Sequence, residues 1–531
     1  LDTLFPGTLP AEEAVPLKSL IESITGVMDF DKGRIEHGPS YAARVKSSGP
    51  VPTPLLALQR AVRFILRNRQ AALAIGAFAI LAATLALLRI ASAAGPLGLG
   101  VAAVVGASTS ALLWKSPSVR YYAFILLRGE SRIYSAMFSA FGSATKCAVF
   151  RPLGPFGPQV FYLRGEAMVE QVLSRPRDYV RDSRFPLDTY PPFGVKSLLW
   201  GGVDGYWLGY RNVCEEYFVS GYEADIPEMT DIIKERVRQW MTMGEIDLLK
   251  EIYRIVLEIR ARIFFQTTFH CYDANAPLDF ADLIDRVLSG NGFFYVDPKD
   301  AALVQQRVLE AVRGATRPGS VGHSLRQCLE SGDLEEAEVI HNAVMYVLAQ
   351  APTMAIFWTL YRSARSKTVG ALRGSHRAIV QAIKEEMRLH PPVTSMFFRL
   401  AVRDGEVDGV FIPKGSPIFV CPFLIQTNPA HWTNPEQFEA DRWTATAGVA
   451  KEIVEPTSGR YLPFGAGAHA CQGRWFASDE MLLVVDTVLK MVDLEVLRDD
   501  GLLDRELADQ VTLHVYSRPR TEVRMKVSPV I

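Results

Sequence analysis

One stretch constrains this chain more than any other: Pro463 to Arg474, reading Pro-Phe-Gly-Ala-Gly-Ala-His-Ala-Cys-Gln-Gly-Arg. Gly465 and Gly467 precede Cys471, and Gly473 follows it by two. Glycine at that spacing lets the backbone turn tightly and approach a flat ligand. The run Trp475 to Val492 behind it has helical character. A cysteine just ahead of a helix feels the positive helix end, and here also His469 and Arg474. These should lower its pKa and favour metal ligation. A lone cysteine is more often simply a buried core residue, so the rest of the chain must decide.

The other five cysteines, at 147, 214, 271, 328 and 421, are scattered with no Cys-x-x-Cys pair, which excludes a disulfide framework and a zinc ribbon. Reduced, cytosol-facing thiols are expected. The 531 residues suit one large catalytic domain with an appendage, and a net charge of −1 gives no sign of nucleic-acid binding.

The appendage is N-terminal. Residues 1–69 lack clear periodicity, are rich in Pro, Gly and Ser near 38–54, and are expected to be poorly structured. Arg60, Arg63, Arg67 and Arg69 then stand before an uncharged run, Gln70 to Leu88, built mostly of Ala, Leu and Ile. A span of roughly 20 apolar residues crosses a bilayer as a helix. A second uncharged run, Ile90 to Trp114, is rich in Gly, Ala and Ser, which suits close helix packing in lipid. Residues 70–114 are therefore read as a membrane anchor of one or two helices. The arginines favour a cytosolic N-terminal flank, and a two-helix hairpin would return residues 115–531 to the cytosol.

The globular part opens with short strands at Cys147 to Phe150 and Val160 to Leu163, then a helix at Glu166 to Leu173. Arg181 to Trp200 is a long Pro- and aromatic-rich loop. Helices are predicted at Met229 to Met241, Ile246 to Phe265, Phe280 to Leu288, Lys299 to Val312 and Val321 to Leu329, and a hairpin at Val407 to Phe419 around Pro413-Lys414-Gly415. Trp207 and Arg211 share a helical face. Leu334 to Ala364 is a long apolar helix interrupted by Pro352, so a kink is expected near Leu348. Glu385 and Arg388 stand at salt-bridge spacing.

Taken in order, these features resemble the cytochrome P-450 family. Phe464, Gly467, His469, Cys471 and Gly473 match its haem-binding loop, with Gln472 standing where a small apolar residue or proline is usual. The resemblance implies a mainly α fold with a small β part, behind the one or two transmembrane helices. It also implies haem b (iron protoporphyrin IX) as cofactor, with Cys471 as the axial iron ligand. Phe464, Gly465, Gly467 and Gly473 would shape the loop. Trp207, Arg211, Arg399 and His469 would hold the haem propionates, for which indole and guanidinium donors are suited. Glu385 and Arg388 would be completed by Arg442 as a structural brace.

The kinked helix would cross the haem at Ala349, Gln350, Pro352 and Thr353. The family's usual Gly is here Gln350, its usual acid is Pro352, and its Thr is retained as Thr353. Phe357-Trp358 and the missing acid resemble the branch containing sterol 7α- and 12α-hydroxylases and prostacyclin synthases. Residues 359–384, between Trp358 and Glu385, make a shorter connection than is usual.

Three functions follow from the resemblance. The first is a membrane-anchored monooxygenase of the endoplasmic reticulum, its catalytic domain facing the cytosol. It would hydroxylate a sterol- or fatty-acid-like molecule with O2 and electrons from a separate NADPH-dependent reductase. The second is a reductase-independent isomerase or lyase acting on a lipid peroxide, and the third is a non-enzymatic haem protein. Pro352 cannot relay protons, which favours the second, and splitting O2 needs proton delivery, which Thr353 could assist.

Overall fold

The computed structural model describes residues 146–530, apart from 151–158, 182–197, 199–204, 270–278, 290–296, 349, 394–396, 455–457 and 514–515. The expected N-terminal region and membrane anchor, Ala349, and most of the loop 181–200 lie outside the described residues.

The chain begins with β1 (Cys147–Phe150), β2 (Val160–Leu163), α1 (Glu166–Ser174) and β3 (Tyr179–Val180). Helices then dominate: α2 (Gly205–Val213), α3 (Glu215–Val219) and α4 (Ile226–Met243), and after strand β4 (Glu245–Asp247), α5 (Leu248–Ile259). Next come α6 (Phe280–Ser289), α7 (Pro298–Gly314), α8 (Val321–Ser331), α9 (Glu336–Val347), α10 (Ala351–Arg365), α11 (Val369–Leu372) and α12 (His376–Leu389). Strands β5 (Phe397–Ala401), β6 (Gly405–Val407), β7 (Val410–Ile412) and β8 (Pro417–Val420) lead to α13 (Pro422–Gln426). The chain closes with α14 (Arg474–Met491), β9 (Val492–Arg498), α15 (Leu507–Gln510), β10 (Val511–Leu513), β11 (Ser517–Pro519) and β12 (Arg524–Pro529). The fold is mainly helical with a small β part.

Local chemistry sets the ends. The Asp247, Ser320 and Ser375 side chains accept backbone N–H bonds and cap α5, α8 and α12. Gly244 ends α4 in the left-handed region, φ 73°. The main sheet runs β1-β2-β8-β5-β3, with β2 and β8 parallel and the other pairs antiparallel. A second sheet, β4-β12-β9, ties the C-terminal strand to α4 and α5. The core centres on α10, which lies against α5, α12 and α14.

Three expectations are refined. The long apolar helix is two helices, α9 and α10, broken at Leu348–Gln350. Pro352 sits in the first turn of α10, where no intrahelical partner awaits its missing N–H. The freed Leu348 carbonyl accepts from the Tyr516 hydroxyl at 2.7 Å. Counted as one span, Glu336–Arg365 is long and apolar enough to cross a membrane, but its most apolar 18-residue stretch is 88% buried inside the domain, as in a core helix. Second, the hairpin is β6–β7, turning at Asp408 and Gly409, both at positive φ (46° and 77°). Pro413–Gly415 instead leads into β8, because Asp-Gly fits the tight hairpin turn better. Third, the short connection after Trp358 turns at Lys367 and Gly374, both at positive φ (56° and 75°). Backbone bonds run continuously from Ser366 to Ser375. Trp358 stacks on His390 with ring centroids 3.7 Å apart, and Arg362 of α10 pairs with Glu386 of α12.

Candidate active site

Cys471 lies between a 3-10 turn, Gly467–His469, and the start of α14. Its N–H donates to the Phe464 carbonyl at 2.8 Å, which closes the loop. Gly465 and Gly467 both take left-handed φ, 71° and 68°. A Cβ at Gly467 would stand 2.4 Å from the Leu173 carbonyl oxygen, so only glycine lets the loop press onto the end of α1. A Cβ at Gly473 would merely touch the Phe218 ring at 3.6 Å. Phe464 packs, partly buried, against the core.

The Cys471 side chain is solvent-accessible, yet enough protein surrounds it that burial raises its thiol pKa. The Gly473 N–H, Arg211, Arg474 and Arg260 pull the other way without prevailing. This corrects the expectation of a depressed pKa. His469 contributes nothing to it, because burial first and then Arg181, Arg399 and Arg211 push the imidazole far down and keep it neutral.

The loop's cationic neighbours converge on one side. His469 is buried edge-on against Trp207, ring centroids 4.7 Å apart, and its Nδ1 has no hydrogen-bond partner. Arg399, on β5 and 2% exposed, donates to the Phe398 carbonyl at 2.8 Å. Burial and the Arg181 charge depress its pKa strongly. Arg211 lies over the Trp207 ring, donates to the Ala470 carbonyl at 3.1 Å and pairs with Glu215 at 3.3 Å. The Trp207 indole N–H donates to the Leu198 carbonyl at 3.1 Å. Trp207, Arg211, Arg399 and His469 therefore do come together, with Arg181 as a fifth member that the sequence pattern did not single out.

A buried knot of cations and an orphaned imidazole nitrogen is costly unless an anion answers it. A planar group carrying two carboxylates and an iron that accepts a sulfur ligand answers both the knot and Cys471. The residues present fit haem.

On the facing side, Thr353 is fully buried and its hydroxyl donates to the Gln350 Oε1 at 3.2 Å. Gln350 Nε2 donates back to the Val347 carbonyl at 3.0 Å. Pro352 is buried beside them. Tyr516 holds the kink through its hydroxyl bond to the Leu348 carbonyl.

The brace is a single carboxylate hub. Glu385 and Arg388 are both fully buried. Arg388 donates to Glu385 at 2.9 and 2.8 Å, and to the Gln426, Pro435 and Gln437 carbonyls. Arg442 and Trp443 donate to the same carboxylate at 3.2 and 3.1 Å, and the Glu439 N–H at 3.0 Å. It ties α12 to the segment leading into the Cys471 loop.

Comparison with known proteins points the same way. The cytochrome P-450 family model matches residues 378–518, which span α12, the brace and the Cys471 loop. Over these residues the chain is similar to the cytochrome P-450 family. Haem, iron protoporphyrin IX, is the cofactor of these haem-thiolate proteins. A (13S,14R)-13-O-acetyl-1-hydroxy-N-methylcanadine 8-hydroxylase from Papaver somniferum is 34% identical over 131 residues, 24% of each protein. The match thus spans about a quarter of that relative's length. Mitochondrial sterol 26-hydroxylase from Homo sapiens is 22% identical over 419 residues, covering 65% of this chain and 77% of the enzyme. Among solved structures, retinoic acid-bound cyanobacterial CYP120A1 superposes with a TM-score of 0.62 at 17% identity, covering 76% of this chain and 96% of that one. The cytochrome P-450DA heme domain gives 0.64 at 17% identity, covering 77% and 95%. These likenesses carry the fold across most of the described domain.

Proposed function

We propose that the protein is a monooxygenase that hydroxylates a lipophilic, sterol- or fatty-acid-like molecule with O2 and electrons from a separate NADPH-dependent reductase. The observation that carries the reading is the pairing of an accessible Cys471 sulfur with the arginines Arg181, Arg211 and Arg399 gathered around the buried, neutral His469. Bound haem supplies the oxygen-activating iron, tuned by a thiolate ligand. Cys471 would provide that thiolate, and the loop bonds around it hold the sulfur in place. Arg211, Arg399 and His469 would hold the propionates. Thr353 would order the water through which protons pass, since Gln350 and Pro352 carry no ionisable group. The relatives named above are hydroxylases by name, which supports the reaction class. Gln70 to Leu88, with or without Ile90 to Trp114, would anchor the domain to a membrane. The human relative is mitochondrial by name, so it lends no support to the endoplasmic reticulum expectation.

A second reading is favoured by one observation: the Thr353 hydroxyl is spent on a neutral amide rather than an acid. A lipid-peroxide isomerase needs no proton relay and no reductase. Conversion of a lipid hydroperoxide by haem-loaded protein without NADPH separates the two. Fast rearrangement to one product supports the isomerase. Oxygenated product that forms only with reductase and NADPH supports the monooxygenase. For either reading, Cys471→Ala is expected to abolish the thiolate-type ferrous–CO spectrum, and its persistence would overturn the ligand assignment.

A further inference from the structure

Gln472 stands beside Cys471 where the family usually has a small apolar residue or proline. Its amide is used at every usable point. Oε1 accepts from the Tyr346 hydroxyl of α9 at 3.1 Å. Nε2 donates to the Arg211 carbonyl of α2 at 2.6 Å and to Glu215 Oε2 of α3 at 2.9 Å. The orientation is fixed by chemistry, because a flipped amide would set its oxygen against a carbonyl and a carboxylate. On the other side of Cys471, the Ala470 carbonyl is held by Arg211, which itself pairs with Glu215. The residues before and after the thiol are therefore gripped by one pair of side chains. Tyr346 extends the grip to the helix that runs into the kink, and its ring is stacked on Phe218, centroids 5.3 Å apart.

We propose that Gln472 is a positioning residue: an amide clamp that holds the Cys471 loop to α2, α3 and α9, and so fixes where the sulfur meets its metal. The clamp rests on Cys471 as haem ligand. An apolar side chain at 472 would leave the Arg211 carbonyl and the Tyr346 hydroxyl without this partner, and the loop would be free to shift the sulfur. Pre-organisation by the clamp lowers the ordering cost of haem binding.

The test compares wild type, Cys471→Ala, Gln472→Ala, Gln472→Glu, Tyr346→Phe and the Gln472→Ala/Tyr346→Phe double variant. It measures haem retention against an apo-globin acceptor and the ratio of thiolate-type to thiol-type ferrous–CO bands. Losing one charged and two neutral hydrogen bonds should weaken haem retention by about tenfold or more in Gln472→Ala. The band ratio should fall with it, and Tyr346→Phe should move both in the same direction by less. Gln472→Glu keeps the volume but faces Glu215 and a carbonyl, so it should match or exceed the alanine loss. In the double variant, Tyr346→Phe should add little, since both act through one amide. Wild-type band ratios in Gln472→Ala, or wild-type behaviour of Gln472→Glu, would overturn the clamp while leaving Cys471 as ligand. If Gln472→Ala does not accumulate, an unchanged band ratio in Tyr346→Phe overturns it. A thiolate-type band surviving in Cys471→Ala would overturn the ligand assignment and the clamp together.

Discussion

Glu385→Gln is the sharpest probe of the haem-side core, because the substitution keeps shape and removes one charge. Five hydrogen bonds converge on this carboxylate. Oε1 accepts from Arg388, Arg442 and the Glu439 N–H, and Oε2 from Arg388 and the Trp443 indole. A glutamine must put its NH2 at one of these ends, against donors. Placing it at the former Oε2 is less costly and still loses an Arg388 bond and the Trp443 bond. A charged bond is worth about 1.5–3 kcal/mol and a neutral one about 0.5–1.5 kcal/mol. Arg388 keeps its three carbonyl acceptors but loses its counter-charge in a fully buried position. Breaking a buried pair typically costs about 3–5 kcal/mol, and the bond-by-bond estimate falls in the same range. Against a domain stability of about 5–15 kcal/mol, that should move the urea midpoint of the catalytic domain far down, with a parallel loss of soluble yield. Unfolding followed by circular dichroism makes the measurement. A midpoint within about 0.5 kcal/mol of wild type, the scatter of surface substitutions, would refute the view that Glu385 holds α12 to the segment before the Cys471 loop.

Other perturbations have equally definite outcomes. Gly467→Ala meets the Leu173 carbonyl at 2.4 Å from a left-handed backbone. It should cost at least about 1–3 kcal/mol and yield protein with a reduced haem-to-protein ratio, and full occupancy would show the loop does not press on α1 as described. Tyr516→Phe strips the kink carbonyl of Leu348 of its 2.7 Å donor. The carbonyl keeps the Gln350 N–H at 2.7 Å, so the loss should cost about 0.5–1.5 kcal/mol, with faster amide exchange at Leu348 and Gln350, and unchanged exchange would argue against it. At Glu452, burial alone would raise the pKa. Bonds from the Ala447 N–H, the Thr446 hydroxyl and the Val449 and Gly448 N–H groups overcome that and hold it at about 2. Its contribution to stability is present above the ordinary glutamate range and is lost as pH falls from there toward 2. Glu452→Gln should flatten that part of the acid-unfolding curve, and an identical pH dependence would remove the claim.

Much of this was legible in the sequence where chemistry is local. The glycines around Cys471, the Glu385 and Arg388 spacing and the proline break in the long helix each carry their own constraint, and the structure places Arg442 on Glu385 and a break at Leu348–Gln350. What the sequence could not reveal depends on neighbours brought from far along the chain. Arg181, Glu215, Tyr346 and Tyr516 reach the site only through tertiary packing, and nothing in their local pattern marks them. The charge states misled for the same reason. His469 reads as a cation beside Cys471, but burial, and then three arginines from other segments, keep it neutral. The hairpin was misplaced because Pro-Lys-Gly is a strong turn signal, whereas Asp408-Gly409 supplies the two positive φ values that the tight turn requires.

The short connection after Trp358 has a mechanical consequence. Trp358 on His390 and Arg362 on Glu386 weld α10 to α12, and α12 is welded in turn to the brace. The kinked pair α9–α10 then works as a lever with one clamped arm and its fulcrum at Leu348–Gln350, pinned by Tyr516. The other arm, α9, carries α7 and α8 packed on it and is tied by Tyr346 to Gln472 beside Cys471. A displacement of α9 would therefore be felt at the Cys471 loop, while α10 stays clamped.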